Sequence, residues 1–250
     1  MIPKIIHYCW FGGKKQPDLV KECISSWKYH LPEYEIKRWD ETNTPIKHPF
    51  IKAALKEKYF AFVADFVRFF ALQEHGGIYL DTDMLALRNF DDLLKYDLFL
   101  GEEAPNVVNF AALGAKPQHP LVKKCVEFYD EKKFNSADLP IISFALAGVL
   151  NEFKQGVESE NYKIFDARYF YPLPFEKKAE DYKSYITQET FAVHLWNHSW
   201  RNSTDYIRER NYKKAFEKII TEILHNKSAR FNIRYYNNLY WHFKGSFKKR

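Results

Sequence analysis

Two carboxylates, Asp81 and Asp83, follow the short apolar run Ile78-Tyr79-Leu80, with only Thr82 between them. If that run is a strand, side-chain alternation puts both carboxylates on one side of its end. Close carboxylates repel each other, and a hard divalent cation relieves the repulsion while taking their oxygens as ligands. Such an ion can hold a diphosphate and stabilise the charge it develops as a leaving group. The triplet alone is weak evidence, because a solvated acidic turn has the same composition. Just upstream, Asp65 and Arg68 stand three apart among phenylalanines, on one face if the segment is helical. Buried there, they must pair with each other or face a polar ligand, and the spacing admits both.

Positioning these groups requires elements that the pattern predicts. Pro3 to Trp10 reads as a strand closed by Gly12-Gly13. A helix with Leu19, Cys23 and Trp27 at intervals of four follows and ends at Pro32, and Tyr34 to Trp39 is a second strand. This strand–helix–strand unit predicts an α/β fold with a parallel sheet. From Lys56 to His75 the pattern is helical with apolar residues round most of the circumference, so this helix should be buried on most sides. Gly76-Gly77 supplies its stop. Strands are expected at 97–101 and 107–114 around a polar turn at 102–106, and near 162–170 and 190–196. Helices are expected at 119–133, 139–153 and 205–226.

The three cysteines, Cys9, Cys23 and Cys125, are odd in number and widely spaced, which predicts buried free thiols and excludes a disulfide framework or a zinc knuckle. Neither a leader-like N-terminus nor a run of about 18 apolar residues is present, so the expected location is cytoplasmic, with contact at the inner face of a membrane. The net charge of +6 is uneven: residues 201–250 hold 13 Lys or Arg against 4 Asp or Glu, leaving residues 1–200 at −3. That distribution is not the footprint of a nucleic-acid binder. It divides the chain into a body, 1–200, and a basic helical C-terminal segment, 201–250. Within 230–250, basic and aromatic residues alternate without an acid, as suits a peripheral contact with an anionic membrane or a terminal helix packed on the body.

Taken together, Ala64-Asp65-Phe66-Val67-Arg68 and Gly76-Gly77-Ile78-Tyr79-Leu80-Asp81-Thr82-Asp83 closely resemble the DXD-containing sugar-transferase family, which includes bacterial capsular-polysaccharide transferases and fungal mannosyltransferases. The same family's blocks are matched by Ile2 to Gly13, by Trp39-Asp40-Glu41 and by Ala192 to Trp200. A more distant resemblance is to the glucosylating domains of clostridial toxins. The resemblance implies a GT-A fold with a mixed, mainly parallel sheet. It implies retaining transfer of a hexose from a UDP- or GDP-sugar, UDP being favoured, to a saccharide or lipid-linked saccharide acceptor in capsule or cell-surface glycan synthesis. Mn²⁺ or Mg²⁺ is the implied cofactor.

Carried over by motif, Trp10 would stack on the base, Asp65 would bond the sugar or ribose, and Arg68 the sugar or diphosphate. Asp83 would bind the metal directly, Asp81 would reach the ribose and the metal shell, and Ser199 and Trp200 would close over the diphosphate. His194 would complete the metal shell, although His198 stands close enough in sequence to compete for the role. Beyond the resemblance, no nucleophile or base stands out. Transfer would then run through a short-lived ion pair, with the leaving phosphate deprotonating the acceptor. Glu102, Glu103 and Asp40 are the carboxylates placed to meet an acceptor. Two other classes compete. A nucleotidyltransferase would need further carboxylates or a phosphate loop, and Gly12-Gly13-Lys14-Lys15 is too short for one. A carbohydrate- or membrane-binding module would not depend on a nucleotide.

Overall fold

The computed structural model describes residues 1–134, 141–156, 161–197, 203–208, 210–225 and 233–247. The chain forms two compact units, 1–197 and 198–250.

The first unit opens with β1 (Ile5–Cys9), α1 (Asp18–His30) and β2 (Glu35–Trp39). Helix α1 buries Val20, Cys23, Ile24 and Trp27, a stripe at helical spacing, and ends where the Leu31 amide bonds the Trp27 carbonyl ahead of Pro32. β1 and β2 pair in parallel, with Ile6 opposite Ile36. The helix expected from Lys56 to His75 starts at Phe60, as α3 (Phe60–His75), and is preceded by α2 (Pro49–Lys56), which has no counterpart among the expected helices. The chain breaks between them because Lys58 takes a left-handed φ of 61°. α3 is enclosed as expected, Glu74 being its one exposed residue.

Gly76 and Gly77 end α3 with φ of 63° and 102°. A Cβ on Gly76 would come within 2.6 Å of the Pro117 ring, and one on Gly77 within 2.7 Å of the Ile5 carbonyl. Only glycine allows this approach to β1. β3 (Gly77–Leu80) then runs parallel to β1, and β4 (Met84–Ala86) follows. β5 (Leu98–Ala104) and β6 (Val107–Ala115) form a hairpin, so the turn expected over 102–106 contracts to Pro105-Asn106 as the strands extend through a bulge. α4 (Pro120–Glu131), α5 (Ile142–Ala145), α6 (Ala147–Gly156) and β7 (Tyr162–Phe165) come next. The strand expected to reach residue 170 stops at Phe165, because the Asp166 side chain caps α7 (Ala167–Phe170) by accepting from the Arg168 amide. β8 is only Ala192–His194.

The central sheet has the order β2-β1-β3-β6-β5-β7 and is mixed and mainly parallel, with antiparallel steps at β3–β6 and β6–β5. β1 connects outward to β2 on one side and, through the helices, to β3 on the other. The crevice beyond the carboxyl ends of β1 and β3 is therefore a topological switch point, where open α/β sheets bind ligands. Side-chain alternation feeds two cores: Ile6, Ile78, Leu80 and Phe99 face the α1 side, while Cys9, Tyr79, Leu98 and Leu100 face α3 and α4. All three cysteines are buried and free, as expected.

The second unit contains α8 (Ser203–Arg208), α9 (Tyr212–His225) and α10 (Ile233–Ser246), so the helix expected over 205–226 is broken near Asn211. Among its described residues Ile207, Ala215 and Leu239 are buried together, with Tyr206, Ile219 and Phe243 packed around them.

Candidate active site

Asp81 and Asp83 lie beyond the carboxyl end of β3, at the switch point. Strand alternation is not what pairs them. The Asp81 amide bonds the Ala111 carbonyl and the Met84 amide bonds the Asp81 carbonyl (2.8 and 3.0 Å), so residues 81–84 form a turn that brings the carboxylates together. Helix α1 pins the far side of this turn: Trp27 Nε1 donates to the Met84 carbonyl at 2.7 Å, and the Ala86 amide donates to Ser26 Oγ at 2.9 Å.

His194 reaches the turn through the two-stranded sheet of β4 and β8, in which Met84 faces His194. Its Nε2 lies 3.2 Å from Asp83 Oδ1. Asp83 Oδ2 accepts from the Asn197 amide at 2.8 Å, and the Asp83 carbonyl accepts from the Leu195 amide at 2.9 Å. The imidazole is walled by Trp196, whose ring centroid is 4.0 Å away, and by the edge of Tyr171 at 5.8 Å. Burial disfavours a charged imidazole, but the Asp83 carboxylate beside it outweighs that and raises its pKa. Burial also opposes ionisation of Asp83, yet His194 and the Asn197 amide overcome it and hold the carboxyl below its ordinary range.

Asp65 and Arg68 lie on the α3 face turned toward this turn. Arg68 Nη2 is 2.7 Å from Asp65 Oδ1 and 3.5 Å from Asp81 Oδ1. Its Nη1 donates to the Phe110 carbonyl at 2.8 Å, and the guanidinium lies over the Tyr79 ring at 4.7 Å. Tyr79 in turn donates its hydroxyl to Asp81 Oδ1 at 2.9 Å. Arg68 is thus both the internal partner of Asp65 and a neighbour of the DXD turn. Burial drives the Asp65 carboxyl up to about 6 and raises Asp81 as well, against the pull of Arg68 in both cases.

Trp10 sits at the carboxyl end of β1, half-buried, with Nε1 donating to the Lys14 carbonyl at 2.7 Å. Gly12 follows at φ 86°, where a Cβ would strike the Phe60 ring at 2.5 Å. Asp40, at the end of β2, is occupied locally by Thr42 and Arg38. Glu102 and Glu103 are half-buried at the end of β5, and Glu103 Oε2 accepts from Asn109 Nδ2. Ser199, Trp200 and the competing His198 lie outside the described residues. Sequence reasoning gave no role to Tyr79, Tyr171, Trp196 or Asn197. Tyr79 stands inside the motif, two residues before Asp81, where the strand period brings its hydroxyl alongside. Nothing local marks the other three.

Among the described residues, Asp81, Asp83 and His194 bring one ligand atom each within 4.8 Å of one another. Arg68 faces Asp65 and Asp81 while Asp83 faces His194, so three carboxylates share one permanent positive charge, an excess of negative charge that a divalent cation would balance. His194 Nδ1 is buried without a hydrogen-bond partner among the described residues, so the ring is held mainly by its stacking and by Asp83. Two carboxylates and an imidazole suit Mn²⁺ well and Mg²⁺ through its oxygen ligands. The residues present fit the group.

Residues 17–100 match the model of the glycosyltransferase sugar-binding region containing the DXD motif, a span that includes Asp65, Arg68, Asp81 and Asp83 but neither Trp10 nor His194. The chain is similar to a mannosyl phosphorylinositol ceramide synthase of Saccharomyces cerevisiae, at 32% identity over 54% of the chain and 37% of the relative. It is also similar to the human alpha-1,4-N-acetylglucosaminyltransferase, at 25% identity over 64% of the chain and 50% of the relative. The chain therefore spans half or less of the length of these two relatives. Among solved structures, a glycosyltransferase involved in the glycosylation of the major capsid of PBCV-1 superimposes with a TM-score of 0.50 at 10% identity, covering 78% of this chain and 95% of that one. This likeness, with the mixed sheet and the DXD turn at its switch point, makes the fold of the first unit GT-A. Over residues 17–100, about a third of its length, the chain carries the sugar-binding region of the DXD-containing glycosyltransferases.

Proposed function

We propose that this glycosyltransferase moves a hexose from a nucleoside diphosphate sugar to a saccharide acceptor, with retention at the anomeric carbon and with a divalent cation held by Asp81, Asp83 and His194. The observation that carries the reading is the meeting of those three side chains at the switch point, inside and beside the matched sugar-binding region. When bound, the cation supplies positive charge to the leaving diphosphate. Trp10, at the neighbouring strand end, offers a ring to the base. Asp65 is the carboxylate for a sugar or ribose hydroxyl, and Arg68 holds Asp65 and Asp81 at fixed separation from it. Asp81 serves the ribose and the cation, and Asp83 the cation directly. Ser199 and Trp200 are assigned to the diphosphate on resemblance alone. No described side chain is placed as an enzymatic nucleophile, so positioning and electrostatic stabilisation carry the rate, and the leaving phosphate takes the acceptor proton.

UDP is the nucleotide we favour, and a polysaccharide of the cell surface the product. A second reading follows from the name of the yeast relative: a mannosyl donor and an acceptor borne on an inositol-phosphate lipid. Nucleotide release from a panel of UDP- and GDP-hexoses, with Mn²⁺, with Mg²⁺ and with excess EDTA, tests the proposal. Turnover of one donor that stops in EDTA and returns with the cation is expected. Full turnover in EDTA, or no response to any nucleotide sugar, removes it, and a response confined to GDP-mannose decides for the second reading.

A further inference from the structure

α10 carries exposed apolar side chains that take no part in the core formed by the described residues of the C-terminal unit. α10 turns Leu239 inward to Ile207 and Ala215, with Phe243 beside it and the Tyr212 ring stacked on Phe243 at 6.0 Å. At 100° per residue, Ile233, Tyr240, Trp241 and Lys244 fall in an arc from about 100° to 200° round the helix from Leu239, off the side that meets the core. Ile233 is 72% exposed, Tyr240 58% and Trp241 63%. The rings of Tyr240 and Trp241 meet edge to face at 5.5 Å, and Lys244 Nζ lies over both, 5.9 and 5.0 Å from their centroids. A large aliphatic group, two amphipathic rings and an ammonium in water form a surface that lacks its solvent.

Charge narrows what that solvent is. From Lys227 to Arg250 the sequence holds seven Lys or Arg and no Asp or Glu. A second copy of this segment would bring the same net positive charge, and like charges oppose that contact. An anionic surface is complementary. Tyr and Trp settle at the level of lipid headgroups, and each nearby Lys or Arg strengthens attachment to acidic lipid. Among the described residues no helix is long and apolar enough to cross a membrane, so α10 would lie in the interface plane. We propose that the outer face of α10 docks the protein on an anionic lipid surface. The proposal is independent of the reading of the active site, since attachment needs neither donor nor cation.

Cosedimentation of the full chain with vesicles tests it, using pure phosphatidylcholine and phosphatidylcholine with about a third phosphatidylglycerol. Binding to the anionic vesicles at low salt, at least about tenfold stronger than to the neutral ones, is expected, with a marked fall at high salt. The double variant Tyr240→Ser/Trp241→Ser and the charge reversal Lys244→Glu should each weaken it about tenfold or more. All three residues are exposed, so circular dichroism and the melting curve should match wild type. Equal binding to both vesicles, no binding, or full binding by the double variant overturns the proposal. So does a dimer in light scattering that disappears in the double variant while vesicles capture neither form.

Discussion

Asp83 accepts from the Asn197 amide, stands against His194, and through its carbonyl accepts from the Leu195 amide. Alanine there would remove a proposed ligand and also strand a buried amide, at about 1–3 kcal/mol. Asp83→Asn keeps a carbonyl acceptor while losing the charge, so it separates the two effects. We expect Asp83→Asn to melt within a few degrees of wild type and to lose both turnover and Mn²⁺ binding by calorimetry; a variant that still binds Mn²⁺ tightly would show that Asp83 is not a ligand. Arg68 presents the opposite case. Its guanidinium meets Asp65, Asp81, the Phe110 carbonyl and the Tyr79 ring, with the side chain 5% exposed. Arg68→Ala leaves carboxylates buried without their counter-charge, which should cost about 3–5 kcal/mol in denaturant unfolding as well as activity. If Arg68→Ala unfolds like wild type, the ion pair is not the support inferred here.

On β1, His7 has both of its ring nitrogens committed. Trp39 Nε1 donates to His7 Nδ1 at 3.1 Å, leaving Nε2 to donate to the Gly76 carbonyl at 2.8 Å. The neutral ring thereby ties β2, β1 and the glycine pair that launches β3. Burial pulls the His7 pKa down to about 4. With the folded value below the unfolded one, the unfolded chain binds the proton first, so stability is complete above pH 6.5 or so and falls as pH drops toward 4. Between pH 7 and 5 this one group should account for about 2 kcal/mol. His7→Gln can offer both a donor and an acceptor without titrating. Urea unfolding of wild type and His7→Gln at pH 7 and 5 should show the variant losing about 2 kcal/mol less; parallel losses would contradict the assignment.

The elements behind the site differ in how far their residues announce them. β1–α1–β2, the enclosed α3 and the Gly76-Gly77 stop follow from apolar spacing and from dihedrals that only glycine accepts easily. The break at Lys58 was invisible because a lysine in a left-handed φ carries no local signal. β8 was overextended, since three residues of ladder with β4 are set by a partner far away in sequence. The pairing of Asp81 with Asp83 was expected for an incomplete reason: the turn, with the Tyr79 hydroxyl and Arg68 around it, does what alternation was supposed to do. The competition between His194 and His198 is met only in part, because one of the two is placed by the structure and the other lies outside the described residues.

At the scale of the molecule, the two units rest on cores of very different size. The first has aromatic and aliphatic clusters on both faces of its sheet, whereas among the described residues of the second the buried apolar side chains are Ile207, Ala215 and Leu239. A unit as short as 198–250 buries a smaller share of its surface and has less stability of its own. Hydrogen exchange followed by mass spectrometry should therefore show α8, α9 and α10 exchanging well before β1, β3 and β6. Leu239→Ala, a truncation of about 2–5 kcal/mol, should accelerate exchange in α8 and α10 and leave the sheet unchanged. Uniform exchange across both units would contradict the separation.

The short ladder between β4 and β8 has a consequence for chain connectivity. It brings Asp83 to residues more than a hundred positions later, 114 in the case of Asn197. A permanent tie across a loop of that size would take roughly 4–5 kcal/mol of entropy from the unfolded chain. If Asp83 and His194 share a cation as proposed, the ion works as a reversible cross-link in the backbone's path, and a chelator would act on this protein much as a reductant acts on a disulfide.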